Sequence, residues 1–203
     1  MDEIKRIDRV QDYNEYIGVD TLHPLVSVIK FNEIPAVISY KMYLGIYAVF
    51  LKNIKCGNIT YGCQPYDYED GTLVFVSPGQ VYGIDSKGVS VKPSGYALVF
   101  HPDLIKGTSL GKNIKEYSFF SYETNEALHL SKKERKTIVD CLEKIAEEIE
   151  QNIDKHSKTL IVSNIELFLN YCMRFYDRQF ITRSNENKDI LMRFENLLDD
   201  YFK

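Results

Sequence analysis

No stretch of this 203-residue chain stays apolar for long enough to span a membrane. The opening segment, Met1–Val10, mixes both charges and lacks the apolar run of a secretory leader, so a cytoplasmic protein is expected. Also missing is any concentration of positive charge. Residues 1–100 carry 9 Lys/Arg against 11 Asp/Glu, and residues 101–203 carry 16 against 18, so each half is −2. A segment that grips DNA alone needs a basic face, because phosphate neutralisation supplies much of the affinity. Any contact with DNA is therefore expected to run through another domain.

Catalytic signatures are scarce too. The four histidines, His23, His101, His129 and His156, include no pair one residue apart, the spacing that opens many metal sites in small β-barrels. Cys56, Cys63, Cys141 and Cys172 form no CxxC pair and are expected to be reduced thiols acting as small hydrophobes. Cys56 and Cys63 flank a turn, which leaves a redox pair as the lesser alternative. No serine or cysteine stands in a recognisable nucleophile elbow, since the GxSxG spacing at Gly107–Gly111 follows a proline-opened turn and not a strand, and the chain has no phosphate-binding loop and no dinucleotide glycine fingerprint. No catalytic residue, metal or cofactor is expected. An enzyme would have to work through carboxylates that carry no motif.

What is present divides into two rhythms. Hydrophobic residues make up 44% and charged residues 27%, enough for a core that needs no disulfide or metal. Up to about residue 101, runs rich in β-branched and aromatic residues recur: Leu25–Phe31, Met42–Leu51, Ile54–Tyr61, Leu73–Val76, Val81–Ile84 and Gly95–His101. Turn residues separate them: Lys52-Asn53, Cys56-Gly57-Asn58, Glu69-Asp70-Gly71, Ser77-Pro78-Gly79, Ser86-Lys87-Gly88 and Pro93-Ser94-Gly95. Short strands so closely spaced point to an antiparallel sandwich or barrel. The run Leu44–Phe50 is apolar on both faces, which suits either a barrel wall covered from outside or plain core.

The second rhythm is helical. Pro102 opens a short turn, and an aromatic knot follows at Tyr117, Phe119, Phe120 and Tyr122. Ser131-Lys132-Lys133-Glu134 is a capping box, ahead of a stripe formed by Ile138, Cys141, Leu142, Ile145 and Ile149. A second helix is expected from Ser157 to Phe180, with a stripe of Leu160, Ile161, Ile165, Phe168, Leu169, Cys172, Phe175 and Tyr176 that is broad for a surface helix. Arg174, Arg178 and Arg183 gather where cations meet the negative end of the helix dipole. A polar break over Thr182–Lys188 then precedes a last helix bearing Ile190, Leu191, Phe194, Leu197, Leu198 and Tyr201. It reaches Lys203 without a cap, as a linker leading to a further domain would.

The β half is rich in tyrosine: Tyr40, Tyr43, Tyr47, Tyr61, Tyr66, Tyr68, Tyr82 and Tyr96. A flat apolar ring with one hydroxyl suits a pocket for a sugar or another polar ring compound, although any single tyrosine serves equally as core. Tyr47, Tyr61, Tyr82 and His101 are the candidate ligand-binding residues.

The stretch Asp70–Gly83 resembles the second conserved motif of the cupin barrel. In that motif a strand enters a Pro-Gly turn, and a pocket residue follows three positions after the glycine. Metal-binding cupins place a histidine there, whereas this chain has Tyr82, which speaks for an organic ligand or a filled interior. With the strand exit Leu98–Pro102, the helix entry Leu128–Glu134 and the segment Phe194–Phe202, the order of parts resembles the AraC/XylS family of transcription regulators, in the form common in Bacteroides-type members.

That resemblance implies an α+β fold: an antiparallel cupin-like β-barrel (jelly roll) with an amino-terminal arm over residues 1–127, an antiparallel helical hairpin over 128–183 and a linker helix over 184–203. It implies a homodimer held by the hairpin, and a small-molecule effector, a carbohydrate among the options, bound in the barrel. DNA would be bound only by a helix-turn-helix domain absent from this sequence, and no membrane is involved. Candidate partner-facing residues are Ile161, Ile165, Phe168, Cys172 and Phe175, with packing inside one chain as the competing role. A dimerisation scaffold without ligand is the first alternative, because some family members bind no known ligand. A small cupin enzyme is the second.

Overall fold

The computed structural model describes residues 4–34, 40–52, 58–61, 64–65, 71–85, 90, 92–120 and 127–201. Ten short strands and two long helices organise it. The strands are β1 (Lys5–Ile7), β2 (Val26–Lys30), β3 (Tyr40–Leu44), β4 (Tyr47–Lys52), β5 (Asn58–Tyr61), β6 (Gln64–Pro65), β7 (Thr72–Val76), β8 (Gln80–Asp85), β9 (Gly95–Phe100) and β10 (Leu128–His129). From β2 to β9 the chain passes back and forth between two sheets. One has the order β1-β3-β8-β5-β6 and the other β10-β7-β4-β9-β2. Among the described residues all pairings are antiparallel except β1 with β3. The mixed α+β class expected from the sequence is what the chain adopts, while the described strands form two open sheets with no closed barrel.

Alternation explains why the central strands of the second sheet are apolar at nearly every position. Successive side chains of a strand point to opposite faces. Ala48 and Phe50 of β4, Val74 and Val76 of β7, and Ala97 and Val99 of β9 face the other sheet, where they meet Met42, Leu44, Tyr82 and Ile84. The intervening residues, Val49, Leu51, Leu73, Phe75, Leu98 and Phe100, face the helical layer. Neither side is open to water, so both are mostly apolar.

The helical layer begins with α2 (Pro102–Ile105) and α3 (Ser109–Asn113), short turns that press Leu104, Ile105 and Leu110 onto the sheet. The expected aromatic knot forms there: the Phe75 and Phe119 rings are 4.1 Å apart and Phe119 and Phe120 5.3 Å. Tyr122 lies outside the described residues. Helix α4 (Lys132–Glu150) starts at the capping box read from the sequence, with Ser131 Oγ accepting from the Glu134 N–H and Glu134 Oε2 from the Ser131 N–H at 2.8 Å. Its buried residues are the five of the predicted stripe. Each is worth about 1.5–3 kcal/mol of burial for a full-sized apolar side chain.

Helix α5 (Ser157–Tyr201) returns the chain across α4 and runs unbroken for 45 residues. The break expected over Thr182–Lys188 is absent, so no separate linker helix follows it. That segment is polar but holds neither glycine nor proline, and ordinary polar residues cost only up to about 0.7 kcal/mol each in a helix. Gln179 ties α5 to the sheet: its Nε2 donates to the Ala127 carbonyl at 3.1 Å and its Oε1 accepts from the His129 N–H at 2.8 Å. No helix among the described residues is long and apolar enough to cross a membrane.

Among the glycines that leave no room for a side chain, Gly95 is the most tightly enclosed. Gly95 has φ +121°, and a Cβ there would lie 1.9 Å from the Leu51 carbonyl oxygen. Gly95→Ala is expected to lower stability by at least about 2 kcal/mol, seen as a lower urea midpoint with an unchanged slope. An unaltered midpoint would show that β9 does not enter the sheet in this way.

Candidate functional site

Between the sheets, aromatic rings fill most of the space. Phe50 stacks on Tyr82 with centroids 4.6 Å apart and planes 18° off parallel. Phe31 and Tyr13 approach the same Phe50 ring at 6.4 Å each. What remains open is a cavity of about 40 Å³. A water needs about 10–15 Å³ measured this way, so the space holds roughly three.

Helix α1 (Val10–Ile17) supplies one wall of this cavity through Tyr13, Tyr16 and Ile17. It is held at its start by Asp12, which accepts from the Arg9 backbone N–H at 2.9 Å and from the Arg9 guanidinium at 2.6 Å. Strand β1, just before it, pairs with β3 at the edge of the first sheet. The amino-terminal arm is thus docked on the sandwich, with α1 set against the cavity. Phe31, Ile34, Tyr40, Met42 and Ile84 are apolar or aromatic neighbours in the lining, joined by Lys52, Pro93 and Ser94.

Lys52 is the one charged side chain among the described lining residues. It continues the inward-facing series Ala48, Phe50, Lys52 on β4 and is 4% exposed. Its Nζ lies 5.3 Å from the centroid of the Tyr82 ring, a cation–π contact worth about 2 kcal/mol when desolvated. Burial pushes the Tyr13 phenol well above its ordinary pKa, with Tyr40 and Tyr16 adding to the effect, and burial also raises Tyr16. Both hydroxyls therefore keep their protons, and with them their capacity to donate, at physiological pH.

Of the four ligand candidates, Tyr82, Tyr47 and His101 do not converge. Tyr82 is fully buried between the sheets, stacked on Phe50 and 6.3 Å from Tyr40. Tyr47 lies on the opposite face of β4, stacked on Phe100 at 4.9 Å and edge-on to Phe120 at 5.1 Å. It lines a separate depression of about 260 Å³ with Ser77, Lys115 and Tyr117. His101 caps α2: its Nδ1 accepts from the Asp103 N–H at 3.1 Å. Proline at the first helical position makes the residue before it the cap, so His101 belongs to the helical layer. The Tyr61 backbone pairs with Tyr82 in β5 and β8, and its side chain lies outside the described residues. Tyr66, Tyr68, Cys56 and Cys63 lie outside them as well.

The five candidate partner-facing residues are interior to one chain. Ile161, Ile165, Phe168 and Cys172 are 0% exposed and Phe175 is 9% exposed. The breadth of the α5 stripe is taken up by α4 on one side and by the sheet with its 102–120 layer on the other. Leu160, read as part of that stripe, is instead 47% exposed, as are Leu167 at 43% and Phe180 at 45%. Cys141 and Cys172 are free, buried thiols, and desolvation pushes both pKa values up, most of all at Cys172.

Sequence reasoning missed Lys52, which sits beside Asn53 and reads as the start of a turn. Continuing the β4 alternation by one residue would have placed it inside. Tyr13, Tyr16 and Ile17 recur at helical spacing in the arm, and that pattern was the available signal for α1. No family model matches this sequence, and no curated protein is similar to it.

The placements generate a contrast. Tyr82→Ala is expected to cost about 3–5 kcal/mol of unfolding free energy, because it empties the space against Phe50. His101→Ala is expected to cost about 1 kcal/mol, the usual value of a helix cap. Urea denaturation of both variants measures the difference, and equal losses would contradict the assignment of His101 as a cap.

Proposed function

We propose that this chain is the effector-sensing and dimerising part of an AraC-type transcription regulator, acting in the cytoplasm without catalysing a reaction. In this reading the two sheets are a cupin-like jelly roll. DNA is bound by a helix-turn-helix domain outside the sequence. The passage of successive strands between facing sheets supports the jelly roll. The observation that carries the function is α1, contributed by the amino-terminal arm, forming a wall of the interior cavity. A ligand there touches the arm and the sheet at once. Its signal is the difference in its affinity for the two placements of the arm.

A second reading is a dimerisation scaffold with no effector. The small cavity and the Phe50–Tyr82 stack favour it, since the interior is already largely filled. A metal-dependent cupin enzyme would need a ligand cluster, and among the described residues no group of three or more His, Cys, Asp or Glu is placed to hold a metal ion. Thermal shift across a metabolite panel separates the first two. Ligand bound only to the native state raises Tm, by an amount set by RT ln(1 + [L]/Kd). No shift across the panel favours the scaffold.

The dimer part of the proposal has its own check. Two of the exposed apolar residues of α5, Leu160 and Leu167, lie seven positions apart on one face and are the natural contact for a second copy. Leu160→Glu with Leu167→Glu is expected to weaken the dimer by at least about 100-fold in sedimentation equilibrium while leaving Tm of the protomer nearly unchanged. Phe168→Ala should do the reverse, costing about 3–5 kcal/mol of stability with the dimer contact intact. Dimerisation insensitive to both leucines would place the contact elsewhere.

A further inference from the structure

We infer that Gln179 and Arg178 form a latch, in which the β10 backbone fixes the direction in which α5 leaves the sandwich. The latch stands on its own geometry. Only its use, as the joint through which α5 carries a signal to another domain, rests on the reading above, and a failed search for an effector would leave the latch in place.

Gln179 meets β10 as a neighbouring strand would. Alternate residues of an antiparallel strand direct both their N–H and their C=O to the same side. Leu128 turns to β7, opposite Leu73, and the Leu130 N–H donates to the Gly71 carbonyl at 3.2 Å. Ala127 and His129 turn the other way, to α5. There the Gln179 amide accepts from the His129 N–H at 2.8 Å and donates to the Ala127 carbonyl at 3.1 Å, as a single peptide unit does. Arg178 Nη2 donates to the His129 carbonyl at 3.0 Å, and Arg178 Nε pairs with Glu134 Oε1 at 2.8 Å. The other oxygen of Glu134 accepts from the Ser131 N–H in the α4 capping box. Two successive residues of α5 thus engage β10 and the start of α4 together. Gln179 is 6% exposed, so its amide has no water to turn to if β10 moves away.

The place of the latch along α5 gives it leverage. Among the described residues Gln179 is the last buried side chain of the helix, and Phe180 beside it is 45% exposed. The helix nevertheless continues to Tyr201, about 33 Å further at 1.5 Å per residue. A tilt of about 10° at Gln179 would carry that end through about 6 Å. On the sheet side, β10 is only Leu128–His129, and β7 holds it through Leu73, Thr72 and Gly71. The Gly71 N–H in turn donates to the Lys52 carbonyl at 2.9 Å, which joins β10 to β4. Strands that line the sandwich interior with Phe50, Val74 and Val76 therefore set where the latch sits.

The test is the distance between two spin labels on the intact chain, one on Lys112→Cys in α3 and one on Glu195→Cys in α5. Cys56→Ser and Cys63→Ser remove two other thiols, while Cys141 and Cys172, both buried, stay in place. Dilution with unlabelled chain removes distances between copies. With the latch intact, one narrow distribution of distances is expected. Gln179→Leu keeps the volume and loses both amide bonds, and the distribution should widen at least about twofold as α5 swings free of β10. Arg178→Met should widen it by less, and takes the place of Gln179→Leu if that variant does not fold. Tyr117→Phe is the control. It removes the 2.9 Å bond from Tyr117 to Asn170, an earlier tie on α5, and should leave the width unchanged. A distribution already broad with the latch intact, or one still narrow without it, would overturn the proposal. Equal widening in Tyr117→Phe would overturn it too, because the direction of α5 would then depend on its packing as a whole.

Discussion

A sheet covered on both sides has to present an apolar side chain at nearly every position, and the strands β4, β7 and β9 do so. Their inner residues meet the first sheet, and their outer residues meet α4, α5 and the 102–120 layer. The two cores are therefore coupled through one backbone. Val49 and Phe50 are neighbours in sequence, yet one supports the helices and the other supports the cavity. The strands that line the interior are the same ones on which α4 and α5 pack. Such a layout permits communication between a ligand site and a distant helix, but only if two arrangements of comparable free energy exist.

Legibility in the sequence followed the range of the interactions involved. The α4 cap and stripe could be read because both are set by residues within a few positions of each other. Strand positions were also visible from β-branched runs and turn residues. Facing was harder to read. When a strand is apolar on both sides, its pattern no longer says which parity points inward, and Tyr47 and Tyr82 were assigned to one pocket although a sheet separates them. The break expected in α5 treated polarity as a helix breaker, when only glycine or proline would have been strong enough. The broad stripe on α5 likewise has a cause beyond its own helix: two layers of the same chain cover it. Which neighbour buries a residue depends on tertiary contacts that no local spacing encodes.

Lys52 departs most clearly from what folding alone would select. A methionine at that position would pack between the sheets without desolvating an ammonium. Positions where an otherwise consistent sequence breaks its own pattern are candidates for function. Here the break falls on the inner face of β4, at a cavity one wall of which is a helix from the amino-terminal arm. The site, the arm and the doubly covered sheet thus form one physical unit. The long helix α5 extends from the opposite side of that sheet.

The central claim is that α1 closes over an interior ligand site, and hydrogen exchange measured by mass spectrometry tests it most directly. In the presence of a saturating effector drawn from the metabolite panel, amides of residues 10–17 and of β3 and β4 are expected to exchange at least about tenfold more slowly, while those of α4 change little. Unchanged exchange across α1, or protection confined to the helical hairpin, would contradict the account and place the sensing surface outside the sandwich.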